Sequence, residues 1–323
     1  MDIMETRPTC KTTVITMFFN LKKLKDQSAE TRPAEFYVKN GQATMALPYP
    51  MIIFCDEETY ELTRSLREQA LGKTIPTEYI IKNITEYEYY QQNWDIIVAN
   101  RQRSDGYKDP NNRNTPSYCL LTMFKFMALQ LSHQRNPFQS EFFAWIDFGC
   151  NHVVRGVAEY APKMIENPNP KVSICYIHYR GHQELSDMRA YMEHGGPCGL
   201  ACTAFTVDAT YVSKLYSAMF AIFNEMLFAG YGHSEETAIA YCYDRYPELF
   251  TIYNGDYYSV MTNYHKPRED LWAIKYYFIN QAMNKGRMDL AKSAALRIVD
   301  AIEDRATYPD GRLLGELEQV LRA

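Results

Sequence analysis

The sequence predicts an α/β fold: a mixed, mainly parallel sheet flanked by helices, with a helical appendage at the C-terminus. Three observations carry this. Short β-branched or apolar runs recur, as in "TTVITMFF" (12–19) and "MIIFCDE" (51–57). An amphipathic pattern, "ETYELTRSLREQAL" (58–71), follows the second of them. After Pro267, helix formers with three- and four-residue apolar spacing take over. Strand, helix, strand in that order favours parallel pairing, because a helical crossover returns the chain to the same end of the sheet.

Along the chain, "TEYIIKNI" (77–84) and "WDIIVAN" (94–100) read as two further strands, and "RQRSDGYKDPNNRNTPS" (101–117) as a long loop rich in turn formers. A helix over 118–134 leads into a strand over 142–147. "KVSICYIHYRG" (171–181) alternates apolar and polar residues, which suits an antiparallel or edge strand. "GGPCGLACTAFTVD" (195–208) begins glycine-rich and ends strand-like. A long amphipathic helix over 209–230 closes on Gly230, and a second, over 233–247, opens with Ser234 as its N-cap. A turn at Asn254-Gly255-Asp256 precedes a short strand ending at His265. Helices then fill 268–304 and 311–322, with a turn at 284–287, so residues 266–323 are expected to form a small subdomain beside a main body of residues 1–265.

Composition narrows the function. The 323-residue chain is long enough for a large core, and 46% hydrophobic with 23% charged residues is ordinary for a globular protein. A net charge of −5 argues against a general nucleic-acid binder. The 26 tyrosines supply flat rings with a polar edge, which suit sugar and base faces. Eight scattered cysteines without a CxxC pair fit reduced core thiols of a cytosolic protein better than disulfides or a zinc site. The N-terminal "MDIMETRPTCKTT" has no apolar signal core, and no apolar run approaches the ~18 residues of a membrane span. The expected location is therefore the cytoplasm, with a membrane surface as the nearest alternative.

Four features fall at strand ends or helix starts, where an open α/β sheet normally holds its ligand. The run Phe142–Ile146 ends abruptly on Asp147-Phe148-Gly149. A carboxylate at the carboxyl end of a central strand can ligate a hard cation, and the glycine would leave room for a bulky diphosphate. The purely structural reading makes Asp147 a turn or cap residue. "HGGPCG" (194–199) brings backbone close to a ligand or merely turns tightly. Glu235 and Glu236 in "GYGHSEET" either satisfy the helix macrodipole or face a cleft as base or hydroxyl-positioning groups. His265 closes "YNGDYYSVMTNYH" as a ligand or as a structural histidine. His178 and His182, four apart in a strand-like context, would not share a face, which argues against zinc there.

Together these pieces resemble a glycosyltransferase of the GT-A fold, and more closely the HtrL/YibB family of bacterial surface-polysaccharide gene clusters. The resemblance rests on "TVITMFFNL", "ALPYPMIIFCDEETYE", "FFAWIDFG", "GHSEETAIAYCYDRYPELF" and "YNGDYYSVMTNYH", spanning residues 13–265. It implies a nucleotide-sugar-binding, catalytic body over 1–265. "IDFG" then stands where such enzymes carry an Asp-x-Asp metal motif, with Asp147 on Mn²⁺ or Mg²⁺ and Gly149 in place of the second acid. His265 would supply the second metal ligand, and Gly195 and Gly196 a loop near donor and acceptor. Phe18, Asn20 and Asp56 would flank the nucleotide, with Asp56 accepting from a uracil ring, and Lys125 would reach the nucleotide or its phosphates. Glu236 or Glu235 would deprotonate or orient the acceptor hydroxyl, and Tyr257, Tyr258 and Tyr264 would offer ring faces to the acceptor sugar. The implied partners are a nucleoside-diphosphate sugar, with UDP as the expected carrier, and a glycan acceptor. Two other readings stand beside this one: a non-catalytic nucleotide-sugar or carbohydrate-binding protein of the same fold, and a metal-dependent phosphoesterase using Asp147, His152 and His182.

Overall fold

A computed structural model describes residues 11–24, 26–27, 32–103, 115–181, 187, 199–232, 234–302 and 308–323. The frame is a seven-stranded sheet in the order β3-β2-β1-β4-β6-β5-β7. Its strands are β1 (Thr12–Phe18), β2 (Met51–Cys55), β3 (Thr77–Ile81), β4 (Phe142–Ile146), β5 (Val172–Tyr176), β6 (Leu200–Asp208) and β7 (Phe250–Asn254). β6 is antiparallel to both its neighbours, while the pairs β1/β2, β1/β4, β2/β3 and β5/β7 are parallel. Six strands therefore run the same way, and their last residues share one edge of the sheet. The mixed, mainly parallel sheet matches the fold class expected from the sequence.

Both faces of the sheet are covered, which is why strands such as β2 read as continuous apolar runs rather than alternations. Ile15, Ile52, Phe54, Phe143 and Trp145 enter one core cluster, and Val14, Met51, Ile53, Ala144 and Ile146 the other. The alternation follows from successive side chains pointing to opposite faces of a strand. Helices α1 (Ala34–Met45), α2 (Glu57–Leu71) and α5 (Val157–Glu166) cover the second face. The first lies under α3 (Glu88–Arg103), α4 (Pro116–Arg135), α6 (Ala209–Phe228) and α7 (Glu235–Arg245). C-terminal to these, α8 (Leu271–Ala273) runs through a π-helical turn, Ile274–Ile279, into α9 (Asn280–Asn284), and α10 (Met288–Ala301) and α11 (Gly311–Arg322) complete the chain. Phe278, Ala295, Ile298 and Leu317 of this region belong to the same core cluster as the main body.

Two expectations are corrected and a third is met in one of its alternatives. Trp94–Asn100 is the middle of α3, not a strand, because a seven-residue apolar run serves a buried helix as well as a sheet. β5 is antiparallel to β6, as its alternation allows, and lies inside the sheet between β6 and β7, not at an edge. No strand ends at His265: β7 precedes the Asn254-Gly255-Asp256 turn, and Asp256 caps a 3₁₀ turn at Tyr257–Ser259. Six cysteines, 55, 119, 150, 175, 202 and 242, are buried free thiols, as expected. Among the described residues no helix is long and apolar enough to cross a membrane.

One buried cation holds the proline-rich link from α1 to β2. Arg67, on α2, is 2% exposed and donates through Nη1 to the carbonyls of Met45 (2.9 Å) and Leu47 (2.6 Å), and through Nη2 to that of Tyr49 (2.6 Å). Burial lowers its pKa to about 10, still well above neutral. Because Pro48 and Pro50 lack amide hydrogens, the loop has few ways to satisfy these carbonyls itself. Arg67→Met should therefore cost roughly 3 kcal/mol by leaving several buried acceptors unpaired. A urea melt within experimental error of the parent's would remove this role.

Candidate functional site

The carboxyl edge of the sheet opens into a cavity of about 480 Å³, within the ~300–1,000 Å³ range of small-molecule sites. Its wall includes Phe18 and Asn20 after β1, Asp147, Phe148 and Gly149 after β4, Lys125 on α4, Glu235 and Glu236 on α7, and Tyr257 after β7. The structure thus brings together most of the residues that the sequence singled out.

β4 positions Asp147. Its amide donates to the Thr203 carbonyl at 2.9 Å, which extends the β4/β6 ladder by one bond and fixes where the acid emerges. Residues 145 and 147 share a face, so the Trp145 indole Nε1–H reaches Asp147 Oδ1 at 2.7 Å. The next residue, Phe148, stacks on Phe18 with ring centroids 4.4 Å apart and 10° between planes. Gly41 on α1 makes this possible, since a Cβ there would lie 2.4 Å from the Phe148 ring.

Beneath the cavity lies an ion cluster. The Lys125 side chain is 2% exposed, and its ammonium faces Glu235 Oε1 at 2.6 Å, Asp147 Oδ1 at 3.4 Å and the Cys202 carbonyl at 2.9 Å. Those three partners match the three donors of an ammonium. Burial alone would lower the Lys125 pKa, but the Asp147 and Glu235 carboxylates overcome it and hold the lysine above its ordinary value. Burial likewise pushes the Asp147 carboxyl up, against the opposing pull of Lys125. Asp147 keeps 36% of its side chain exposed. Its hydrogen bonds from described residues land on Oδ1, which leaves Oδ2 for the cavity.

The paired glutamates have separate fates. Glu235 turns inward to Lys125 and is buried, with 7% of its side chain exposed. Glu236 is half-buried on the cavity wall, where Oε2 accepts from the Tyr257 hydroxyl at 3.0 Å and Oε1 from the Cys202 amide at 3.4 Å. The helix-dipole explanation predicted no such difference.

Several implied roles are corrected by position. Lys125 is consumed by internal partners instead of reaching out to phosphates. Asp56 caps α2, accepting from the Thr59 amide at 2.9 Å on Oδ1 and from the Asn20 amide at 2.7 Å on Oδ2, so both oxygens are committed and it lies outside the cavity lining. Gly149 leaves room for protein: a Cβ there would lie 3.0 Å from the Tyr37 ring. His265 is exposed and donates from Nε2 to the Lys163 carbonyl at 3.2 Å. Its neighbour Tyr264 is buried, with its hydroxyl on Thr206, opposite Ala144 at the middle of β4, and on the Asn169 amide just ahead of the amino end of β5. His265 and Asp147 therefore sit towards opposite edges of the sheet, and Tyr264 offers no ring to a sugar. Tyr258 is 48% exposed beneath the Arg155 guanidinium, outside the cavity lining. Gly195, Gly196 and His182 lie outside the described residues. Among the described residues no group of three or more His, Cys, Asp and Glu is arranged to hold a metal ion.

Sequence reasoning passed over Arg32, Tyr37 and Phe148, which line the cavity, and took up His152 for a different chemistry. Only Phe148 carried a signal, as an aromatic directly after the strand-end acid. Removing the cation from the buried cluster should be costly: Lys125→Met strands two carboxylates and is expected to lose roughly 3–5 kcal/mol. The double variant Lys125→Met/Glu235→Met should recover a large part of that loss in chemical denaturation. A double variant no more stable than Lys125→Met would show that the ion pair is not the source.

Comparison with curated proteins gives no match. Similar solved structures include mouse xyloside xylosyltransferase 1 in its apo form, at 11% identity over 74% of this chain and 84% of that one, with TM-score 0.41. Core-mannan synthase A from Aspergillus fumigatus, in a Mn/GDP form, gives 11% identity over 78% and 74%, with TM-score 0.43. The 4-diphosphocytidyl-2C-methyl-D-erythritolsynthase of Anaerococcus prevotii DSM 20548 gives 10% over 82% and 95%, with TM-score 0.35. The family described as "Bacterial protein of unknown function (HtrL_YibB)" matches residues 10–265, most of the chain and all of the cavity wall, and the protein belongs to that family.

Proposed function

We propose that the protein is a glycosyltransferase that moves a sugar from a nucleoside diphosphate, UDP being the first candidate, to a hydroxyl of a glycan acceptor. The observation that carries this reading is Asp147, which lines a cavity of about 480 Å³ at the carboxyl edge of the sheet with its hydrogen bonds from described residues on Oδ1 alone. One carboxylate is a sufficient protein ligand for Mg²⁺ or Mn²⁺ when water and substrate phosphates complete the shell. The donor set therefore fits a metal–diphosphate better than a metal held by protein alone. Two carboxylates, Asp147 and Glu235, meet one ammonium at the inner end of the cavity, and Glu236 lines the same wall, so the surroundings of Asp147 are acidic enough to favour a divalent cation. Bound there, the ion would neutralise charge developing on the leaving diphosphate, a contribution of several kcal/mol.

The protein's own residues divide the remaining work. Lys125 and Trp145 fix Oδ1 of Asp147, so the second oxygen points in one direction without a reorganisation step. Glu236, steadied by the Tyr257 hydroxyl and the Cys202 amide, is the carboxylate placed to accept or orient the acceptor proton. Glu235 acts through Lys125 and does not meet the acceptor.

Asp147→Asn should lower transfer by about 10²-fold or more at temperatures where the variant is still folded, with a smaller loss of stability than Lys125→Met because Glu235 still meets the ammonium. Glu236→Gln should reduce turnover by a similar factor, whereas Glu235→Gln should act mainly on stability. Equal effects of the two glutamate changes on rate would overturn the division of roles. Chelation of divalent ions should abolish transfer, and Mn²⁺ should restore it. Because burial raises the Asp147 pKa and only the ionised form can hold a cation, the acid limb of the rate should lie above the ordinary carboxylate range. A limb at the pH of an exposed aspartate would detach Asp147 from the rate. Binding of a nucleotide sugar without transfer or hydrolysis would instead identify a non-catalytic binding protein.

A further inference from the structure

We infer that Arg32 receives the phosphate groups of the ligand, so that a diphosphate lies between its guanidinium and the acids at the inner end of the cavity. The inference rests on the transferase reading and extends it to a residue that neither the sequence motif nor the family description assigns.

Exposed cations elsewhere in the chain commonly answer carboxylates, as in Lys11 with Glu141, Arg64 with Glu61 and Arg245 with Glu225. Arg32 lines the cavity, and among the described residues it has no carboxylate partner. Two neutral groups hold it in place instead. Its Nη1 lies 2.9 Å from His152 Nε2, and its guanidinium carbon stands 4.6 Å from the centre of the Phe36 ring. The state of the histidine follows from its other contact. His152 Nδ1 is 2.6 Å from the Gly149 carbonyl, which can only accept, so Nδ1 carries the proton and Nε2 offers a lone pair to Arg32. An arginine clamped by a neutral imidazole and a phenyl face is fixed in direction without losing its charge. Most of its five N–H donors stay available for a planar, two-point contact with phosphate oxygens.

The surroundings have the same sign. Lys22, exposed, lines the same cavity. α1 begins two residues after Arg32, with Ala34 on the wall and no side-chain cap from Pro33, so the positive end of that helix adds to the field. The cavity is thus cationic on the Arg32 side and acidic around Asp147 and Glu236. A nucleoside without phosphates would gain nothing from this polarity, whereas a metal-bound diphosphate matches both ends.

The test is titration calorimetry with UDP, GDP and inorganic pyrophosphate in the presence of Mn²⁺, with uridine and guanosine as phosphate-free controls. For whichever diphosphate the parent binds, Arg32→Gln should weaken binding about tenfold or more and leave the matching nucleoside unchanged. Arg32→Lys, which keeps the charge but not the fork, should fall between. His152→Phe should weaken the diphosphate selectively, and His152→Gln, whose side-chain carbonyl can accept from Arg32, should recover affinity. Parent-like diphosphate affinity in Arg32→Gln would overturn the role of Arg32 and leave the transferase reading standing. Equal losses for nucleoside and diphosphate would overturn it as well. A parent protein that binds none of the three phosphate probes would overturn both readings.

Discussion

A lysine whose side chain is 2% exposed must be met by opposite charge, and around Lys125 that requirement organises the whole site. α4 places the ammonium under the carboxyl edge of the sheet. β4 must then deliver Asp147, α7 must begin with Glu235 facing inward, and β6 must turn the Cys202 carbonyl to the same point. Elements far apart in sequence are tied by one charge, so the geometry around it tolerates little slippage. The cluster is costly to assemble, since each ion gives up its water, and it is stable only with all partners present. That coupling is what holds one oxygen of Asp147 still while the other faces the cavity.

The same cluster separates two chemically identical neighbours. Glu235 and Glu236 follow one another in the first turn of α7, and residues adjacent in a helix point about 100° apart. When the first is drawn down to Lys125, the second is left on the wall beside Tyr257. A helix start that reads in sequence as simple dipole compensation becomes one structural and one accessible carboxylate. The distinction arises from what α4 brings to the helix, not from anything in the Ser-Glu-Glu triplet.

This explains what the sequence disclosed and what it withheld. The alternation of apolar runs and amphipathic stretches was legible because burial on both faces of a sheet writes itself into composition; β1, β2, β4, α2, α4, α6 and α7 all lie where the pattern placed them. Asp147 was legible because an acid directly after a buried strand has no packing reason to be there. Residues whose role depends on a distant partner were not. Lys125 was assigned to the nucleotide or its phosphates, because the partners that claim it lie 22 and 110 positions later and could not be paired by spacing. Asp56 and His265 were assigned from their position in a motif, and local needs claimed both: a helix cap for one, a carbonyl of α5 for the other. Arg32 gave no signal, because its significance lies in the neutrality of its partners.

Packing bears on the single acid of "IDFG". At position 149 a Cβ would stand 3.0 Å from the Tyr37 ring, so a side chain there would need that ring to give by a few tenths of an ångström. Tyr37 is in turn packed near Phe18, which stacks on Phe148, and Phe148 fits only because residue 41 has no side chain. An aromatic layer of Tyr37, Phe18 and Phe148 fills the space beside residue 149. The negative charge that an acid at that position would have contributed is present nonetheless, on Glu236, carried by a different element and reaching the cavity from another side. A divalent cation placed at Asp147 would therefore meet Glu236 on the same cavity wall although residue 149 carries no acid.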